Sequence, residues 1–401
     1  MPPSADPPTG AGLRALYALL AIAMARETSP PWDPSSSAAA PDPDQLLVGG
    51  LLEAIRRHRL AVVLEPHLGR WPWSEERAEA VRALAARQRL AAMAQLRTAL
   101  EALRALAAHD VRALLIKGPA LAMQTTANYT DRGGGDVDLF VAPADLSRAV
   151  GVLEGLGYDQ LGALPRHPGQ RRWRYVCWVH HEQQLRRPTG LIDLHWALAP
   201  LRHGLPDFDA AWTQRATLPI DGHAVDTLSR GHALAYACVH AQRDQWMELR
   251  ALVDIDRLAR QFRPEQVLSL QPQRALRLSA AVTIAATGAP HLKGVAGLGR
   301  RQRRTVLDRA WQAQLDLPHQ HGQRPWHPQR AWQHWCQGAS LMRHPEDLLR
   351  TLAFQVFPPS MFQDSASGAD LPLGAACRGR LGRLTGRLGQ WLEDGVGLKI
   401  G

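Results

Sequence analysis

Lysine is nearly missing from this chain. It occurs only at positions 117, 293 and 399 among 401 residues, so the 47 basic side chains are almost all arginine and carry the formal net charge of +10. These arginines are scattered through alanine-rich stretches, and no basic run is interleaved with aromatics, which make up only 6% of the sequence. A stacking groove for nucleic acid is not expected from such a pattern, and what remains is a modest general pull toward anions. Cysteine is as scarce. Cys177, Cys238, Cys336 and Cys377 form no CxxC or Cys/His spacing, which argues against a disulfide framework and a structural zinc site and fits a reducing, cytoplasmic setting. Long apolar runs are lacking too. Leu13 to Ala25 is too short to span a bilayer, so no membrane partner is expected. Its Ala23-Met24-Ala25 end imitates a cleavage site, yet the run also suits a small docking helix; the docking helix is the expectation.

What is present reads as several folding units, since 401 residues exceed one ordinary core. Residues 1–45 read as that first helix followed by a Pro/Ser/Ala-rich linker, Thr28 to Gln45. Residues 46–110 read as an N-terminal helical region, with helices from Leu46 to about Arg59 and from Ser74, a plausible N-cap followed by Glu75 and Glu76. Met93, Leu96, Leu100, Leu103 and Ala107 fall at helical spacing and predict its core face. Residues 111–200 read as an α/β core: a strand Val111 to Ile116, a turn at Lys117-Gly118, a helix opened by Pro119, and a strand carrying Asp136 and Asp138. A helix Leu146 to Gly157, a strand or hairpin across Arg171 to Leu185, and a strand from Gly190 follow. Residues 201–401 read as a C-terminal helical domain.

Chemistry concentrates in the middle unit. Side chains alternate along a strand, so Asp136 and Asp138 share a face, and two like charges that close are most easily kept with a hard divalent cation between them. A solvated strand edge is the plainer alternative. Gly133, Gly134 and Gly135 loosen the backbone just before the pair, and Lys117 beside a helix N-terminus makes an anion site. On the later strand Leu191, Asp193 and His195 share one face. A carboxylate in so apolar a strand needs a metal or a paired arginine.

The order Lys117-Gly118-x-Ala-Leu, Arg132, Gly135-Asp136-x-Asp138-Leu, and then Thr189-Gly190-x-x-Asp193-Leu-His195-Trp196 resembles the nucleotidyltransferase-like family of bacteria, a branch of the polymerase-β nucleotidyltransferase superfamily. This chain departs from the superfamily by having Gly118-Pro119 where a Gly-Ser or Gly-Gly turn is typical. The resemblance implies an α+β fold, a small mixed β-sheet core flanked by N-terminal and C-terminal helical regions. It implies that Asp136, Asp138 and Asp193 hold Mg2+ or Mn2+ and carry catalysis, and that Lys117, Gly118, Arg132 and Gly135 bind an NTP such as ATP. It extends to His240, Trp246 and Asp254, so His195, His240 and Asp254 stand as secondary site residues. The implied reaction moves a nucleoside monophosphate to a hydroxyl acceptor, a small molecule or a peptide, with release of pyrophosphate. Two other readings stay open: a kinase-like phosphoryl transferase releasing ADP, and a non-catalytic scaffold that binds a peptide or protein.

Overall fold

The computed structural model describes residues 10–26, 50–71, 73–161, 171–200, 204–316, 345–357, 375–376, 378–379 and 382. The Thr28 to Gln45 linker, residues 46–49, and the Pro358-Pro359 break lie outside them. Five strands make one mixed sheet in the order β1-β2-β5-β4-β3: β1 Ala113–Leu115, β2 Val137–Val141, β3 Asp159–Leu161, β4 Glu182–Arg187 and β5 Gly190–His195. The β2–β5 pair is parallel and the other pairs are antiparallel. Helices flank the sheet, and the expected α+β architecture is what is seen.

One helix of 34 residues, Glu75–Ala108, reaches into both hydrophobic clusters, and Ser74 caps it by accepting a hydrogen bond from the Arg77 amide at 3.4 Å. Ala78, Val81 and Ala85 enter one hydrophobic cluster with Leu13–Met24, the Leu51–Leu64 segment and the helices after residue 229. Leu96, Ala99 and Leu106 enter a second cluster with the sheet and the Leu146–Gly155 helix. The predicted stripe is therefore corrected in part. Leu96 and Leu100 are buried, but Met93 is 50% exposed and Ala107 faces outward, because alanines at other positions supply the buried face.

The first apolar stretch is a helix, Gly10–Arg26, with Leu13, Leu16, Leu19 and Leu20 wholly buried against the Gln273–Thr287 helix and the Leu51–Arg57 helix. It is docked as expected. Among the described residues no helix is long and apolar enough to cross a membrane. Two expectations of local structure fail. Arg171–Val179 is a helix, not the first arm of a hairpin; its Tyr175 hydroxyl donates to the Ala353 and Phe357 carbonyls, at 2.9 and 2.7 Å, so packing on the Pro345–Val356 helix overrides the β-leaning aromatics. A second sheet, β6 Ala216–Ile220 with β7 His223–Thr227, stands at the start of the region read as helical. Asp221 and Gly222 between its strands both have positive φ, and an Asp-Gly pair is a strong hairpin signal. Thr227 Oγ1 ties this hairpin to β1 by donating to the Leu115 carbonyl at 2.6 Å.

Candidate functional site

The site forms where the carboxyl-end loop of β1 and the neighbouring strands β2 and β5 open onto a cavity of about 640 Å³, closed on its far side by helices Arg230–Arg243 and Leu249–Ala259. Parallel pairing sets Asp138 directly beside Asp193, about 4.8 Å apart by strand spacing. Asp136 is the residue just before β2, so its carboxylate reaches the cavity from a more open position than Asp138, which is 4% exposed. Asp136, Asp138 and Asp193 all line the cavity.

The loop that delivers Asp136 is pressed onto the long helix. A Cβ on Gly134 would lie 2.2 Å from the Ala91 carbonyl carbon, and the Gln95 amide donates to the Asp136 carbonyl. Gly118 begins the Gly118–Thr126 helix with φ +52, and a side chain there would collide with Gln95. Glycine is thus needed at both places for close approach.

The electrostatics of the three carboxylates differ. Burial opposes ionisation of Asp138, but the Lys117 ammonium at 2.8 Å and the His195 ring nitrogen at 3.1 Å outweigh it and hold the carboxyl below its usual range. Burial works against the Lys117 charge as well, and Asp138 more than offsets this, so its pKa is raised. The Lys117 Nζ also lies 5.3 Å from the centre of the Tyr236 ring. Asp193 goes the other way: burial, and then the charges of Asp136, Asp138 and Glu182, push it up to about 8. Its Oδ1 is buried without a hydrogen-bond partner. An oxygen donor left bare amid like charges is what a divalent cation would satisfy, so the three carboxylates suit a hard metal ion in chemistry, although among the described residues the trio whose ligand atoms all lie within 4.8 Å of one another is His181, Glu182 and His195 and not the aspartates.

The two cations assigned to phosphate are not waiting free. Lys117 holds Asp138, and Arg132 Nε donates to Asp254 Oδ2 at 2.8 Å with both side chains nearly buried. Asp254 is thereby brought into the site as the partner of Arg132. Gly135 lines the cavity, His195 stands behind Asp138, and His240 lies on the opposite wall, its Nδ1 3.1 Å from Asp244 and its pKa driven down to about 3 by burial and then by Lys117. Trp246 is core: its indole N–H donates to Ser279 Oγ at 2.9 Å.

Several cavity residues escaped the sequence reading. Arg59 and Arg250 converge on Glu248, at 3.5 and 3.3 Å, and burial brings Arg250 down to about 10. Arg243 and Tyr236, one turn or more along the helix from His240, also face the cavity. Glu182 is another. It sits opposite His195 in the β4–β5 register, and its Oε2 lies 3.3 Å from His181 Nε2 and 3.4 Å from His195 Nδ1. Helical spacing from His240, and the alternation that carries Asp193 and His195, are the signals that could have found them.

A family model described as an uncharacterised nucleotidyltransferase matches residues 47–291. Among solved structures, an antigenic nucleotidyltransferase-like protein from Paracoccidioides brasiliensis is similar at 17% identity and a TM-score of 0.30, over 55% of this chain and 92% of that one. No curated protein matches.

Proposed function

The chain belongs to that family of uncharacterised nucleotidyltransferases, and from this premise we propose that it is a metal-dependent transferase of the polymerase-β kind, moving a nucleoside monophosphate from an NTP to a hydroxyl acceptor. The observation that carries the reading is the set Asp136, Asp138 and Asp193, which line one cavity at the start of β2 and on the adjacent parallel strands β2 and β5, with Asp193 Oδ1 buried and without a hydrogen-bond partner. Asp136, Asp138 and Asp193 would hold Mg2+ or Mn2+, which supplies charge to offset that building on the entering and leaving oxygens.

The chain's own groups then divide the work. Asp193, on the nucleophile side, accepts the acceptor's hydroxyl proton, directly or through water. That oxygen bonds to the α-phosphorus, the bond between the α-phosphorus and the bridging oxygen breaks, and pyrophosphate leaves. Lys117 and the Gly118 amide, at a helix N-terminus, take the β- and γ-phosphates, with Arg132 as a second cation; Gly135 lets the nucleotide approach the loop. Each cation has to trade a carboxylate for a phosphate, so the Lys117–Asp138 and Arg132–Asp254 pairs preorganise the site before nucleotide arrives. The cavity volume fits a nucleotide with part of a small-molecule or peptide acceptor.

The test is incubation of the chain with each α-labelled NTP, Mg2+ or Mn2+, and host lysate, following label transfer and pyrophosphate. Transfer that disappears in Asp193→Asn is the expected result. Release of ADP instead would make the protein a phosphoryl transferase, and no turnover of any NTP together with intact peptide binding would leave the scaffold reading.

A further inference from the structure

We infer that the chain carries a second cation position, separate from the three aspartates: a nitrogen-rich site made by His181, Glu182 and His195 that selects a first-row transition ion such as Zn2+ or Co2+ over Mg2+. One ligand atom from each of the three lies within 4.8 Å of the others. Glu182 Oε2 is the hub, 3.3 Å from His181 Nε2 and 3.4 Å from His195 Nδ1. Bonds of about 2.0 to 2.1 Å at tetrahedral angles put neighbouring ligand atoms about 3.3 to 3.4 Å apart, so both spacings from Glu182 Oε2 are those of ligands around one ion.

Hydrogen bonding leaves His195 Nδ1 in this cluster unsatisfied. His195 Nε2 lies 3.1 Å from Asp138 Oδ1, and a carboxylate there accepts, so the ring donates through Nε2. Nδ1, in a residue 1% exposed, is aimed at Glu182 Oε2 and has no hydrogen-bond partner. A buried ring nitrogen without a hydrogen-bond partner, 3.4 Å from a carboxylate oxygen, is a pair that one cation would satisfy together. The Asp138–His195 bond also has the form of the carboxylate–histidine pair that orients a metal-binding imidazole. Burial keeps His181 neutral, its pKa driven down to about 3, which leaves a lone pair for binding.

One group competes. Arg243 Nη1 donates to the same His181 Nε2 at 2.9 Å, and an arriving ion has to displace it. Arg243 keeps Asp244, 3.2 Å from its Nε, as a partner afterwards. Glu182 lines the open cavity and provides the way in. Two imidazoles and one carboxylate leave a fourth position for water, an arrangement that favours zinc-like ions and disfavours magnesium, which prefers oxygen donors.

Metal-free full-length chain titrated with Co2+ tests this directly. The expected result is one equivalent with the visible absorption of four-coordinate cobalt, displaced by Zn2+ and not by Mg2+. It should persist in Asp193→Asn and weaken by at least about a hundredfold in Glu182→Gln and His195→Gln. Because His195→Gln could disturb folding, Arg243→Gln serves as a second variant: removing the competing charge should tighten cobalt binding about tenfold. The inference is overturned if the cobalt spectrum is absent or six-coordinate, if binding is lost in Asp193→Asn but survives in Glu182→Gln, or if Arg243→Gln leaves affinity unchanged.

Discussion

Asp193→Asn in metal-free protein should stabilise the fold, and increasingly so as pH rises. The wild-type carboxyl is held at about 8, against 3.8 for the free side chain, by burial and then by Asp136, Asp138 and Glu182. The sign follows from linkage. Between those two values the folded state binds more protons than the unfolded state, so stability is full below about pH 4 and is lost as pH rises through 8. At 1.36 kcal/mol per unit the whole effect has an upper bound of about 6 kcal/mol. Water in the cavity reduces this to about 2 to 3 kcal/mol at pH 8. Asparagine keeps the shape and removes the charge, so its advantage should be near zero at pH 4 and reach that figure at pH 8. Urea denaturation of both proteins in EDTA, from pH 4 to pH 9, reads it out, and millimolar Mg2+ should erase the wild type's loss but not alter the mutant. A wild type whose stability is flat across that range, or an Asp193→Asn protein that is several kcal/mol less stable at pH 8, would refute the reasoning; the latter would mean that the carboxylate serves a nearby cation.

Lys117→Met strands the buried Asp138 charge and should cost about 3 to 5 kcal/mol in metal-free protein, measured by chemical denaturation; Asp138→Asn in the same background should recover most of it. Arg132 and Asp254 should show a coupling of about 1.5 to 3 kcal/mol in a double-mutant cycle, and a value near zero would mean that the pair is incidental. Leu16→Ala, at a wholly buried position of the first helix, should lower stability by about 2 to 5 kcal/mol, which thermal melting will show unless that helix is undocked in solution.

The strands that carry Asp138 and Asp193 were legible in the sequence because their pattern is local: alternation puts the side chains on one face, and apolar neighbours bury them. The Ser74 cap, the Pro119 helix start and the Leu146–Gly155 core face were legible for the same reason. What could not be read depends on contacts far apart in the chain. The β-leaning residues Trp173, Tyr175 and Val176 lie in a helix because Tyr175 finds partners 178 and 182 residues away. The Arg132–Asp254 pair spans 122 residues, and spacing offers no hint of it. The β6–β7 hairpin is different, since Asp221-Gly222 announced it, and only the helical pattern beginning nearby concealed it.

The Glu75–Ala108 helix has a consequence for how the molecule comes apart. Its first half completes one apolar cluster and its second half the other, so a single rod is shared property of both. Severing the chain near residue 110 leaves the sheet without the wall that covers it and the helical layer with an unsheltered overhang. Heat or denaturant that melts one end of the rod strips cover from the neighbouring cluster, and loss of order should spread through the molecule as one event. The glycine loop at Gly134 rides on the same rod, so the carboxylate it presents stays in place only while that shared support is whole.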